Sequence, residues 1–119
     1  MNKRNPFRDA VNGISAAYRS ERNLRIHIAV TLVATVLGIV LGLSPTEWCW
    51  IALCIALVIM AELFNTAIEA CVDLISPNQH PLAGKAKDTA AGAVLIAAGF
   101  AVLTGGIIFI PKLWTIISC

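Results

Sequence analysis

Three acidic residues and one amide lie along the middle of the chain at helical spacing. They occupy positions i, i+3, i+7 and i+11, which fall within an arc of about 80° on an α-helix. We call these four residues the acidic stripe: Glu62, Asn65, Glu69 and Asp73. A solvated helix face would usually mix lysine or arginine with its acids, but the stripe has no basic member. Because like charges at a membrane boundary need compensation, the stripe predicts a site for a divalent cation.

Basic residues follow the acidic stripe across a short loop. Residues 76–81 contain two prolines, which must break the helix, and the polar run behind them contains Lys85, Lys87 and Asp88. An antiparallel hairpin would return these lysines to the level of the acids. Acids that hold Mg²⁺ against phosphates, a lysine and a carboxylate base are the parts of a phosphoryl-transfer site. The sequence has neither a Walker A motif nor a kinase glycine-rich loop, so such a site belongs to no common soluble fold.

The elements that position these residues are those of a membrane protein. Of the 119 residues, 58% are hydrophobic and 13% are charged, against about 45–50% and about 25% in soluble domains. Three apolar stretches are long enough to cross a bilayer: 24–43, 46–75 and 89–110. Residues 7–22 repeat apolar side chains every three or four positions and predict an amphipathic helix on the membrane surface. We therefore expect one all-α integral membrane domain, 1–119, with a surface helix, three transmembrane helices and a cytoplasmic loop at 76–88.

The distribution of basic residues predicts the orientation. Six of the nine lysines and arginines lie before the first span or at its first residues, and the 76–88 loop carries two more. The positive-inside rule then places the N-terminus and this loop in the cytoplasm and the C-terminus outside. The net charge of +2 is too small and too scattered for a nucleic-acid-binding surface. We interpret His27, at the start of the first span, as an interfacial side chain.

The cysteines carry no recognisable metal-ligand or disulfide spacing. We interpret all four as small apolar residues: Cys49, Cys54, Cys71 and Cys119.

The acidic stripe also resembles a known family signature. Residues 62–73 read ELFNTAIEACVD and match the pattern E-x-[LIVM]-N-[ST]-[SA]-[LIV]-E-x-x-V-D, with one conservative departure at Phe64. This pattern is that of the small prokaryotic diacylglycerol kinase and undecaprenol kinase family. The resemblance extends to residues 21–27 (ERNLRIH) and 80–88 (HPLAGKAKD). These two segments look more like the undecaprenol-phosphorylating branch than the diacylglycerol branch.

The resemblance implies a lipid kinase of the inner (cytoplasmic) membrane. It implies a homotrimer of three-span subunits with active sites at the cytoplasmic boundary, ATP as co-substrate and Mg²⁺ as cofactor. By position, Glu62 resembles the general base and Asn65 a site-organising amide. Glu21 and Glu69 resemble the residues that bind Mg²⁺ and the nucleotide, and Asp73 resembles a supporting acid. The other implied nucleotide contacts are Asn78, Gln79, His80, Lys87 and Asp88.

Two functions of other classes stay open at this point. A small membrane transporter could use Glu62 and Glu69 as a cation or proton site, although such an acid is more often found near the bilayer midplane. A non-catalytic scaffold could assemble through a face of the third span that repeats glycine every seven residues. The scaffold would leave the acidic stripe without a role.

Overall fold

A computed structural model of the chain describes residues 3–118, and these form four α-helices. Their bounds are α1 Pro6–Ser20, α2 Arg22–Leu41, α3 Pro45–Ile75 and α4 Pro81–Ile117. The three longer helices have mean hydropathies of 2.2, 2.2 and 2.5 in their 18-residue windows and are long and apolar enough to cross a membrane. The predicted all-α fold with a short first helix and three spans is confirmed.

Helix α1 is amphipathic and begins at a well-formed cap. The side chain of Asn5 accepts hydrogen bonds from the backbone N–H groups of Phe7 and Arg8, which satisfies two donors that the first turn leaves open. Ala17 is buried near the end of the helix, where α1 touches α2 and α3. Phe7 and Val11 are 84% and 64% exposed. The apolar face of α1 is therefore free to enter a membrane interface.

One residue, Glu21, joins α1 to α2. Its backbone is extended, with φ −114° and ψ 109°. The guanidinium of Arg25 donates to the carbonyls of Tyr18 and Arg19, at 2.8 and 3.0 Å, so it satisfies acceptors that the end of α1 leaves open. Leu24 is completely buried one turn into α2. These contacts hold Glu21 at a defined place where α1 meets the spans.

The turn between α2 and α3 is as short as the sequence predicts. Gly42 ends α2 in the left-handed region, at φ 69°, a conformation that glycine adopts at little cost. Ser44 and Glu47 form a capping box, because each side chain accepts a hydrogen bond from the other residue's backbone N–H. Gly38 lies against Trp48, and a Cβ atom at Gly38 would stand 2.7 Å from the indole ring. A side chain at this position would push the two spans apart.

Helices α3 and α4 pack along each other as an antiparallel hairpin. One end is joined by an ion pair between Lys87 and Asp73, and the other by an ion pair between Lys112 and Glu47 at 3.2 Å. The first pair lies next to the connecting loop. The hairpin therefore brings the start of α4 to the level of the acidic stripe.

The bounds of α4 differ from the sequence-based expectation. The helix begins at Pro81 rather than at residue 89, because proline is tolerated in the first turn and the imidazole of His80 accepts a hydrogen bond from the N–H of Leu82. It also continues past Pro111, where we expect the third span to end. Pro111 has no N–H to donate to the carbonyl of Ile107, and membrane helices tolerate such an interruption. The connecting loop is thereby reduced to residues 76–80.

The apolar core of the single chain is small. Its main cluster consists of Leu43, Ile51 and Ile108, and only 6% of the apolar window of α4 is buried. Within residues 3–118 the cysteines Cys49, Cys54 and Cys71 are free thiols, while Cys119 lies outside the described residues. Most apolar surface of the spans is therefore left for lipid or for other protein chains.

Candidate active site

The acidic stripe runs from the interior to the surface along one face of α3. Glu62 and Asn65 are 2% and 8% exposed, Glu69 is partly buried and Asp73 is exposed. The amide Nδ2 of Asn65 donates to Oε1 of Glu69 at 3.1 Å. The helical spacing therefore brings these side chains onto one face, as predicted. By burial, Glu62 is the inner acid, and Glu69 and Asp73 are the two outer acids.

Glu62 is the buried carboxylate of the site, and its partner comes from another helix. Its Oε1 lies 3.4 Å from Nε2 of His27 on α2, whose side chain is 25% exposed. A buried carboxylate without a partner would carry a large desolvation cost. The interpretation of His27 as an interfacial side chain missed this contact. A signal exists in the sequence, because His27 lies three residues after the buried Leu24 and so shares the inward face of α2.

Two further carboxylates lie within electrostatic reach of Glu62. Glu21 and Glu69 are close enough to act electrostatically on Glu62. Glu21 comes from the junction of α1 and α2, and Glu69 comes from two turns further along α3. Two separate parts of the chain, the α1–α2 junction and α3, therefore contribute acids to one region.

The oxygen groups of this region fit a hard cation. No three His, Cys, Asp or Glu side chains converge as a ready-made metal site within residues 3–118. Mg²⁺, however, usually takes only one or two protein carboxylates and completes its shell with water and phosphate oxygens. The Oδ1 atom of Asn65 is buried and finds no hydrogen-bond partner among residues 3–118. A buried, unpaired oxygen beside the Glu69 carboxylate is a group that such a cation would satisfy.

Lys87 lies at the same level as the outer acids. It forms an ion pair with Asp73, and the charge of Glu69 also acts on it. Asp88 is exposed in the following position. Of the two lysines predicted to return to the acidic stripe, Lys87 is found in contact with it.

An open cavity of about 640 Å³ lies beside the loop that joins α3 to α4. The lining includes four residues expected at a nucleotide site: Asn78, Gln79, His80 and Lys87. Asp73 also faces this cavity, whereas Glu21, Glu69 and Asp88 do not line it. The imidazole Nδ1 of His80 is occupied as the cap of α4, at 3.1 Å from the N–H of Leu82. The volume is in the range of small-molecule sites.

A second, apolar groove of about 380 Å³ runs between α2, α3 and α4. His27 lines it, and the other lining side chains are mostly aliphatic or small. They include Val30, Ala34, Ile51, Val58, Ala101 and Gly105. We call this the apolar groove. It passes close to the partner of the buried acid and has the composition of a hydrocarbon site.

Comparisons with known proteins match most of the chain, including the residues of this site. Residues 8–109 match the family described as prokaryotic diacylglycerol kinase. An undecaprenol kinase of Bacillus subtilis is 45% identical over 107 residues, which cover 90% of this chain and 87% of that protein. A diacylglycerol kinase of Synechocystis is 43% identical over 108 residues, covering 90% and 62%. A diacylglycerol kinase of Escherichia coli K12 is 37% identical over 92 residues, covering 77% and 75%.

Proposed function

The chain belongs to the prokaryotic diacylglycerol kinase family and is a membrane lipid kinase. On this premise we propose that it phosphorylates the hydroxyl of a membrane lipid, with Glu62 as the residue that accepts the proton of that hydroxyl. The γ-phosphoryl group of ATP is transferred to undecaprenol, giving undecaprenyl phosphate, or to diacylglycerol, giving phosphatidic acid. The observation that carries this proposal is the burial of Glu62, which is 2% exposed, contacts His27 of the apolar groove and lies within reach of two further acids. Residues 21–27 and 80–88 favour undecaprenol as the preferred acceptor.

Glu62 acts as the general base in this scheme. The lipid oxygen attacks the γ-phosphorus in line, its proton passes to the Glu62 carboxylate, and the bond from phosphorus to the β–γ bridging oxygen breaks to release ADP. No covalent enzyme intermediate is needed. Burial of Glu62 keeps bulk water away from the reacting hydroxyl, and the apolar groove supplies a place for the hydrocarbon part of the acceptor.

Glu69 and Glu21 are the residues that would hold Mg²⁺. When bound, the ion would neutralise negative charge on the phosphates as the bond to ADP breaks. Asn65 organises this part of the site, because its Nδ2 group fixes the Glu69 carboxylate. Its Oδ1 atom has no hydrogen-bond partner among residues 3–118, so it could serve as a further ligand of the ion.

Lys87 takes up phosphate charge at the nucleotide side. Its ion pair with the supporting acid Asp73 holds the ammonium group next to the cavity that Asn78 and Gln79 also line. Asp88 and the exposed side of His80 lie at the same end of the molecule and complete the proposed nucleotide contacts. With Glu21 and Glu69, these residues would position ATP against the buried base.

The protein is proposed to work as a homotrimer in the cytoplasmic membrane. The spans leave most of their apolar surface uncovered in the single chain, which neighbouring subunits would cover. The basic N-terminal region, Lys87 and the acidic stripe lie at one end of the molecule, and the positive-inside rule assigns that end to the cytoplasm, where ATP is found. The C-terminus then lies outside. Because the chain belongs to a kinase family, we do not propose a transporter or a scaffold.

Phosphoryl transfer from labelled ATP to undecaprenol and to diacylglycerol, measured in parallel in mixed micelles, tests the proposal. We expect transfer to both lipids, faster to undecaprenol, with loss of transfer when Mg²⁺ is chelated. Glu62→Gln should lower kcat by about 10²- to 10⁴-fold, the usual contribution of a general base. The matched control is Glu47→Gln, at the opposite end of α3, because glutamine can also serve in a capping box. Full activity of Glu62→Gln would exclude the base assignment.

A further inference from the structure

His27 is the ionisable residue of the buried region to which the phosphoryl-transfer scheme assigns no role. It lies on α2, and Glu62 lies on α3, so the 3.4 Å contact between Nε2 and Oε1 joins two spans. Among residues 3–118, His27 is the one side chain in polar contact with the Glu62 carboxylate, since Asn65 donates to Glu69 and the Thr66 hydroxyl donates to the Glu62 backbone carbonyl. The orientation of the buried acid therefore depends on this imidazole.

The chemistry of the pair defines what each atom does. An ionised carboxylate only accepts hydrogen bonds, so the contact requires a proton on Nε2 of His27. The imidazole contact is made to Oε1 of Glu62, and in the proposed scheme Oε2 takes the proton of the acceptor hydroxyl. The 3.4 Å separation is longer than the about 2.7–2.9 Å of a charge-assisted hydrogen bond, and catalytic contacts are often long before substrates bind.

The other charged groups around the pair favour the same arrangement. From the α1–α2 junction and from α3, Glu21 and Glu69 place negative charge near Glu62. The residues of α4 that line the apolar groove beside His27 are uncharged, among them Ala98, Ala101 and Val102. His27 is thus the donor that opposes two repelling carboxylates.

We propose that His27 is a positioning residue that holds one oxygen of Glu62 and presents the other to the hydroxyl of the lipid acceptor. The inference rests on the proposed role of Glu62 as the base. It extends that role by assigning the second helix, α2, a part in the reaction. A positioning role predicts that loss of the imidazole lowers kcat and leaves the affinity for ATP unchanged, because ATP binds at the other side of the site.

Three substitutions at one position separate a donor role from a packing role. Gln places its amide nitrogen four bonds from Cα, as His does for Nε2, whereas Asn places its nitrogen one bond closer and Leu has no donor. We expect His27→Leu and His27→Asn to lower kcat by about 10- to 100-fold, the worth of a hydrogen bond to a charged group. His27→Gln should stay within about threefold of wild type, since it restores the donor. The KM for ATP should stay constant in all three.

A double-mutant comparison and a packing control complete the test. If His27 acts through Glu62, adding His27→Leu to Glu62→Gln should cause no further loss of kcat. Val33→Ala, on the exposed face of α2 and outside the lining of the apolar groove, should retain wild-type kcat. Equal losses in His27→Gln and His27→Leu, or additive losses in the double variant, would overturn the inference. If His27→Leu keeps wild-type kcat while Glu62→Gln is inactive, the positioning role of His27 is wrong but the base role of Glu62 stands. If Glu62→Gln is active, the base role of Glu62 is wrong.

Discussion

Replacement of Asn65 by leucine tests whether its buried, unpaired oxygen is reserved for a cation. The wild-type side chain gains a hydrogen bond from Nδ2 to the Glu69 carboxylate, which is worth about 1.5–3 kcal/mol. It also leaves Oδ1 without a partner, which costs about 1–3 kcal/mol. Leucine has the same number and branching of side-chain heavy atoms and removes both effects. Because the two largely cancel, we expect the free energy of unfolding of Asn65→Leu without Mg²⁺ to lie within about 1.5 kcal/mol of wild type.

Mg²⁺ should separate the two proteins. A cation that binds only the folded state at 100 times its Kd adds about 2.7 kcal/mol to the free energy of unfolding. The wild type should therefore gain stability as Mg²⁺ is titrated in the presence of a non-hydrolysable ATP analogue. Asn65→Leu should gain less than half as much, because it has lost the oxygen and the fixed orientation of Glu69.

The assay is the midpoint of unfolding in detergent, followed at increasing Mg²⁺ concentration. Thr66→Val is the matched control, because it removes a neighbouring polar group that bonds only to the Glu62 backbone carbonyl. This control should keep the full Mg²⁺-dependent shift. An equal shift in wild type and Asn65→Leu would refute the reasoning, since the unpaired oxygen would then have no part in cation binding.

Two further predictions concern the nucleotide side and the hairpin turn. Lys87→Met should raise the KM for ATP by about tenfold, because one contact to a charged group is lost. Lys85→Met, at an exposed position nearby, should leave the KM for ATP within about twofold of wild type. Equal KM values in the two variants would show that Lys87 does not contact the nucleotide. Gly38→Val should destabilise the protein by about 1–3 kcal/mol, because its Cβ would stand 2.7 Å from the Trp48 ring. Gly13→Ala, where a Cβ meets nothing within 4 Å, should not lower the unfolding midpoint, and an equal loss in both would show that crowding at the turn is not the cause.

The helices and the acidic stripe were predictable because they depend on local properties. Apolar length predicts a span, and spacing within one helix predicts which side chains share a face. The stripe from Glu62 to Asp73 needed no knowledge of any other helix. The ends of α4 were less predictable, because proline is tolerated both in the first turn of a helix and inside a membrane helix. The His80 imidazole caps the helix that begins at Pro81, and the helix continues past Pro111.

The contact of His27 with Glu62 could not be predicted from the sequence, for a different reason. It depends on how α2 crosses α3, and that crossing is set by the Gly38–Trp48 contact and the turn at Gly42, at the far end of both helices. Helical spacing shows that His27 shares a face with Leu24 but not which helix that face meets. Contacts between spans are therefore the part of this site that requires a structure.

The distribution of charge explains why the site lies where two spans and the helix junction meet. A lone buried carboxylate would be costly in a membrane protein, and α3 by itself supplies acids without a cation. The compensating groups come from elsewhere, with His27 from α2 for the inner acid and Lys87 from α4 for the outer one. Glu21 and Glu69 are left in electrostatic reach of Glu62 without an ion pair among residues 3–118. The uncompensated charge therefore sits at the position that the proposed scheme assigns to Mg²⁺, between the buried base and the nucleotide cavity.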